Sequence, residues 1–172
     1  MLELLAPAGN LDAVIAAVQN GADAVYMGFG DGFNARRSAD NFTQESFAKA
    51  VRYCHIRGCK VYVTLNTLVG DREMDAAAAL AQQASDAGAD AILVQDLGLA
   101  RVLRAALPDI PLHASTQMSI HNLAGVEAAA EMGITRAVLA RELSLEQIRF
   151  ISQHASIETE VFVHGALCFC YS

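Results

Sequence analysis

Gly21-Ala22-Asp23-Ala24-Val25 and Gly88-Ala89-Asp90-Ala91-Ile92 are two copies of one phrase. In each, a glycine closes a helical pattern and the residues after it enter an apolar run of strand length. Gly133-Ile134-Thr135-Arg136-Ala137 is a looser third copy. On both sides of these joints the chain alternates short apolar runs with helical patterns. Strands are expected at residues 2–6, 22–27, 60–66, 91–95, 112–117, 136–140 and 160–163. Asn10, Thr43 and Ser144 stand where helix caps belong, and Glu146 and Gln147 fit the first turn after Ser144. Strand-to-strand spacings of about 20 to 35 residues suit βα units.

Such an alternation fits either a (β/α) barrel or an open doubly wound sheet. No Gly-x-Gly-x-x-Gly follows the first strand, and polar residues recur at the far ends of most strands, as a barrel site requires. The expectation is therefore an α/β fold, an incomplete TIM-like barrel of about seven βα units, forming one domain over residues 1–172. A complete barrel takes about 250 residues. The chain ends at Leu167-Cys168-Phe169-Cys170-Tyr171-Ser172 with no helix after the seventh strand, so it is expected to be the N-terminal part of a longer protein.

Composition narrows the function classes. Hydrophobic residues are 53% and charged residues 18%, which excludes a disordered chain. Folding a chain of this size buries about 69% of its surface, enough for one core without disulfides. The net charge of −7 excludes a basic footprint over the whole surface, though not a local basic patch. The longest apolar runs, 13–18 and 76–81, fall far short of the about 20 residues of a membrane span, and no signal peptide is visible at the start. The cysteines form no disulfide framework, and a cytoplasmic location is expected. Unpaired outer strands make self-association through open sheet edges an expected property.

In a parallel barrel the site lies at the C-terminal strand ends. Those positions hold Asn34, Arg36 and Arg37 after strand two, Thr64 and Asn66 on strand three, and Gln95 and Asp96 on strand four. Strand five is read as alternating His113, Ser115 and Gln117 on one face. Strand six runs into Arg141 and Glu142, and strand seven alternates Glu160, Phe162 and His164 before Cys168. Asn66 and Asp96 also suit turn starts or helix caps, His113 a hydrogen-bonded core position, and Arg141–Glu142 a surface pair. Inward polar residues on strands five and seven are costly to bury unpartnered, which points to a polar pocket at one mouth. Arginine forks at Arg36 and Arg141 suit a carboxylate or phosphate. Cys54 and Cys59 read as structural. There is no P-loop, no His-Glu-x-x-His and no Gly-x-Ser-x-Gly. Cys168-Phe169-Cys170 is too tightly spaced for a usual zinc pair, and two thiolates cannot complete an iron–sulfur site.

The segment Glu160-Val161-Phe162-Val163-His164-Gly165-Ala166-Leu167-Cys168 closely resembles the signature of the U32 peptidase family, the collagenase-like proteins. The resemblance covers the whole chain. It includes Leu4-Leu5-Ala6-Pro7-Ala8-Gly9, Gly21-Ala22-Asp23-Ala24-Val25-Tyr26, Phe33-Asn34-Ala35-Arg36, Val63-Thr64-Leu65-Asn66, Ser115-Thr116-Gln117 and Arg141-Glu142-Leu143-Ser144. It implies a TIM-like barrel. It implies support of oxygen-independent hydroxylation of a base in ribosomal or transfer RNA, or of a quinone precursor, with prephenate as co-substrate for the RNA-modifying members. It further implies a 4Fe–4S cluster, with Cys168 as first ligand and the others downstream. The segment from Phe33 to Ser38 most resembles the ribosomal-RNA branch. On this reading Glu160, His164, Gln117 and Asn66 are the catalytic candidates. Asn34, Arg36, His113, Ser115, Arg141 and Glu142 are the substrate-binding candidates, and Cys168 is the metal ligand. The alternatives are a collagenase-like peptidase and a non-catalytic scaffold that binds a small anion or another subunit.

Overall fold

The computed structural model of the chain describes residues 2–30, 32–35 and 41–165. Seven strands form one sheet in chain order, every neighbouring pair parallel. They are β1 (Leu5–Pro7), β2 (Ala24–Met27), β3 (Lys60–Leu65), β4 (Ala91–Val94), β5 (Leu112–Ala114), β6 (Arg136–Val138) and β7 (Glu158–Glu160). Between them run α1 (Leu11–Gln19), α2 (Gln44–His55), α3 (Met74–Asp86), α4 (Leu97–Ala106), α5 (Leu123–Glu131) and α6 (Leu145–His154). The sheet curls into an incomplete TIM-like barrel, as the alternation predicts.

The strand period of two divides the core. On β3, Val61, Val63 and Leu65 face the helices while Tyr62 and Thr64 face the lumen; on β4, Ile92 and Val94 face out while Ala91 and Leu93 face in. Two clusters fill the layer between sheet and helices. A smaller one, Ala24, Tyr62, Ala91, Leu93 and Val138, fills the lumen.

Local chemistry sets the helix starts. The side chains of Asn10, Thr43, Asp96, Asn122 and Ser144 each accept a backbone N–H of the first turn. Ser144 and Gln147 complete a reciprocal capping box. Asp96 is thus a helix cap, one of the two roles its sequence position allowed.

The repeated phrase has a structural meaning. Gly21 and Gly88 adopt φ of 90° and 98°, a left-handed conformation that ends α1 and α3 and that a side chain would strain. The aspartate two residues later reaches back to the preceding strand. Asp23 Oδ2 accepts the Leu4 N–H at 2.8 Å, and Asp90 Oδ2 accepts the Val61 N–H at 2.7 Å. In the third copy Thr135 takes this place, donating its hydroxyl to the Leu112 carbonyl at 3.2 Å.

Two strands depart from expectation. Strand five was expected through Gln117, but β5 stops at Ala114. Ser115 then accepts the Gln117 N–H and starts a 3-10 turn, Thr116–Met118, which lifts Gln117 out to solvent. Strand seven was expected at 160–163, but β7 is Glu158–Glu160. Its first residue, Glu158, is exposed, and Arg136 Nη2 donates to Glu158 Oε2 at 2.6 Å. Phe162 and His164 therefore lie beyond the strand.

Candidate functional site

The two ends of the lumen carry different chemistry. At the floor, where strands begin, Arg136 donates to Glu3 at 2.5 Å and to Glu158 through Nε and Nη2 at 2.8 and 2.6 Å. Lys60 and the Tyr62 hydroxyl also donate to Glu3, at 3.1 and 2.9 Å. Burial alone would raise the Glu3 carboxyl, but these donors hold it at about 2. Burial pushes the Tyr62 phenol up, and its bond to Glu3 adds to this. His113 packs edge-on against Tyr62, ring centroids 4.9 Å apart, with its Nδ1 buried and unpartnered. Burial, reinforced by the Arg136 charge, lowers its pKa to about 3 and keeps the imidazole neutral.

At the mouth a cleft of about 50 Å³ opens, lined by Tyr26, Thr64, Asn66, Leu93, Ser115, Thr116, Val138, Glu160 and Phe162. Asn66, just past β3, bridges it. Its Oδ1 accepts the Ala35 N–H at 3.1 Å and its Nδ2 donates to Ser115 Oγ at 3.2 Å. This ties the loop after β2 to the end of β5. Thr64 donates to the Met27 carbonyl at 3.2 Å. Thr116 Oγ1 and Glu160 Oε2 are buried without a hydrogen-bond partner. Glu160 Oε2 lies 3.5 Å from Arg136 Nη1, an ion pair too poorly directed to count as a hydrogen bond. Burial raises the Glu160 pKa and Arg136 opposes the rise.

The sequence-predicted residues separate accordingly. Asn66, Ser115 and Glu160 converge on the cleft. His113 belongs to the layer beneath it. Gln117 and His164 are exposed and do not line it. Arg141 and Glu142 are exposed in the loop after β6, away from the lining. Asn34 donates to Asn41 Oδ1 at 3.1 Å over Gly28, where an added Cβ would meet Asn34 Nδ2 and Asn41 Oδ1, each 2.1 Å away. Arg36 and Cys168 lie outside the described residues. Tyr26, Thr116 and Phe162 line the cleft without being among the candidate site residues the sequence offers. The alternation of Glu160 with Phe162 was the available signal for the last of these. Nothing local marked Tyr26.

These residues sit on a family framework. The model for peptidase family U32 matches residues 9–172. The chain belongs to that family. Two relatives are named for RNA hydroxylation. The 23S rRNA 5-hydroxycytidine C2501 synthase of Escherichia coli (strain K12) is 44% identical over 171 residues, which cover 99% of this chain and 25% of that protein. The tRNA hydroxylation protein P1 of Bacillus subtilis (strain 168) is 41% identical, covering 99% of this chain and 40% of that protein. The U32 chain thus spans less than half the length of these relatives. The structure of the U32 peptidase Mk0906 superposes with a TM-score of 0.77 at 17% identity, covering 94% of this chain and 68% of that one, and supports the shared fold.

Among the described residues, no group of three or more His, Cys, Asp or Glu side chains could hold a metal. Cys54 and Cys59 are buried in the sheet–helix layer, and burial pushes the Cys54 thiol up to about 12. They are poor candidates for thiolate ligands. The described donors therefore do not fit an iron–sulfur cluster. No described helix is long and apolar enough to cross a membrane.

Proposed function

We propose that this chain is the barrel portion of a protein that supports hydroxylation of a base in ribosomal or transfer RNA. The observation that carries the reading is the 44% identity, over 99% of the chain, to a relative named as a ribosomal-RNA hydroxycytidine synthase. A cleft at the strand C-terminal end, with buried polar atoms left unpartnered, supplies the place where a reactant would be held. Prephenate as co-substrate, oxygen independence and a cluster begun by Cys168 are the finer parts of the proposal. With no described donor set for the cluster, its other ligands would come from beyond the residues seen here.

A peptidase role finds less support in the site. Ser115 Oγ accepts from Asn66 and from the Gln117 N–H, and no imidazole contacts it. Among the described residues it has no base to activate it.

The test is mass spectrometry of nucleosides from ribosomal and transfer RNA of the host, with and without the gene. The expected result is loss of one pyrimidine nucleoside bearing an added oxygen. Identical nucleoside content in both strains would overturn the proposal.

A further inference from the structure

The charge of this acidic chain is unevenly placed. Between Glu45 and Asp71 there is no acidic residue, although the chain holds 19. The same stretch contains Lys49, Arg52, Arg57 and Lys60, four of the 12 lysines and arginines. Three of these cations stand on one element, the outer side of α2 and the turn that ends it. Phe47, Ala50, Val51 and Cys54 bury the inner side of α2. Lys49 and Arg52, three residues apart, are therefore exposed together on the other side. Arg57 is exposed just beyond the helix, its guanidinium 3.7 Å from the centre of the Tyr53 ring.

Little nearby neutralises these cations. Glu45 pairs with Lys49 at 2.7 Å, but both partners are exposed, and such a pair gives way to a stronger anion. Asp90 is engaged with His55 at 2.9 Å, and Glu3 with Lys60 at 3.1 Å. Among the described residues, the Arg52 guanidinium has no hydrogen-bond or ion-pair partner. Arg57 Nη1 donates to the Tyr53 carbonyl at 3.1 Å, which leaves the rest of its fork to give. The flanking helices add few charges: Asp12 on α1, and Asp75 and Asp86 on α3. The helix dipole favours cations at a C-terminus, yet α1, α3 and α5 end without one. The fold therefore does not require this cluster.

We propose that the outer face of α2 holds the phosphate backbone of RNA. A guanidinium matches a phosphate through two parallel N–H bonds, and the stack on Tyr53 fixes the plane of Arg57 beforehand. Such contacts carry no sequence information; they set where the strand lies. α2 follows the loop at the C-terminal end of β2 and, at about 1.5 Å per residue, runs about 18 Å down the outside of the barrel. An RNA with one nucleotide at the mouth meets this face with the nucleotides beside it. The acidic remainder of the chain repels the strand, so a local basic face also sets its orientation. The proposal rests on the RNA reading above and adds a surface outside the mouth.

Fluorescence anisotropy of the chain with a labelled single-stranded RNA of about 20 nucleotides, from about 50 to about 200 mM salt, tests it. The expected result is binding that weakens with salt, with a logarithmic slope of about −2 for two to three phosphate contacts. Arg52→Ala and Arg57→Gln should each weaken binding about fivefold at about 100 mM salt and flatten the slope by about 0.7. Arg101→Ala and Arg149→Ala remove the same charge from exposed positions on α4 and α6, and should change binding by less than about twofold. Arg52 has no partner to lose, and an unchanged circular dichroism spectrum checks that its variant is folded. No binding at about 50 mM salt overturns the proposal. So does an equal loss in the α4 and α6 variants, which would make the attraction diffuse. Binding to phosphatidylglycerol vesicles but not to RNA overturns it too and assigns the face to a membrane surface. The two readings fail separately. If deleting the gene removes the modified nucleoside but both α2 variants bind RNA as the parent does, this face is wrong and the hydroxylation reading stands. If deletion changes no RNA nucleoside while both variants lose RNA binding, the reverse holds.

Discussion

The floor and the mouth of this barrel are both lined with polar groups, yet the floor satisfies nearly all of its own, His113 Nδ1 being the exception among the described residues. At the floor, Arg136, Glu3, Glu158, Lys60 and the Tyr62 hydroxyl all have partners between 2.5 and 3.1 Å. At the mouth, Thr116 Oγ1 and Glu160 Oε2 have no hydrogen-bond partner, Glu160 keeping only a 3.5 Å ion pair with Arg136. Buried polar groups of folded proteins nearly all find partners, because leaving one unmade costs about 1–3 kcal/mol. A floor with its charges matched is a structural device. A mouth with hydrogen-bonding positions unfilled is held ready for something else. The division matches the general rule for parallel barrels, in which the strand C-terminal face carries function and the opposite face stability.

The contrast is sharpest at Arg136, whose side chain is 10% exposed and which alone joins Glu3 before β1 to β6 and β7. Arg136→Met should leave Glu3 and Glu160 without their main cation and lower the unfolding free energy by about 3 kcal/mol or more in urea titrations. A loss below about 1 kcal/mol would mean that the floor network is decorative. Asn66→Ala should cost about 1–2 kcal/mol, because it strips the Ala35 N–H and Ser115 of partners. Hydrogen exchange at the Ala35 amide should quicken. If it does not, the bridge across the mouth does not hold that loop.

His113 gives the floor a signature in pH. Its folded pKa is about 3 against an ordinary 6.5. As pH falls below 6.5 the unfolded chain takes up a proton that the folded chain refuses, so stability is full above 6.5 and lost progressively toward 3. Glu3 acts in the same direction but lower, between its ordinary 4.5 and about 2. Glu160, whose pKa burial raises, acts in the opposite direction, so the imidazole's part between about pH 7 and about pH 5 is read as the difference between parent and variant. His113→Gln should lose less stability over that interval than the parent chain, and an equal loss would show that the ring is not kept neutral. The smallest effect is expected at Thr116→Val. Replacing a buried hydroxyl that has no partner by a methyl should leave the unfolding free energy unchanged or raise it by about 1 kcal/mol. A loss would place Thr116 in the framework, as at the floor.

The helix caps and the joints between units were legible in the sequence because their causes are local. Asn10, Thr43 and Ser144 act within one turn, and the glycine phrases act within five residues. The strand order followed from the same alternation. The extent of β5 was not legible: the Ser115 hydroxyl competes with the sheet for the backbone, and alternating polarity from His113 to Gln117 looks the same in either case. The position of β7 was not legible because it is set by pairing with β6, Arg136–Val138 against Glu158–Glu160, and the exposed Glu158 carries no apolar signal. Of the site residues, Asn66, Ser115 and Glu160 were visible as polar residues at strand ends. Thr116 and Tyr26 gained significance only when curvature of the sheet brought distant strands around one space.

The backward reach of Asp23, Asp90 and Thr135 has a consequence for how the chain comes to be made. Each of these side chains fastens a strand already synthesised, while the main-chain carbonyls of Asp23 and Thr135 await the later Lys60 and Glu158 N–H groups. A βα unit can be clasped as soon as the next joint leaves the ribosome, and the nascent barrel can settle one stave at a time.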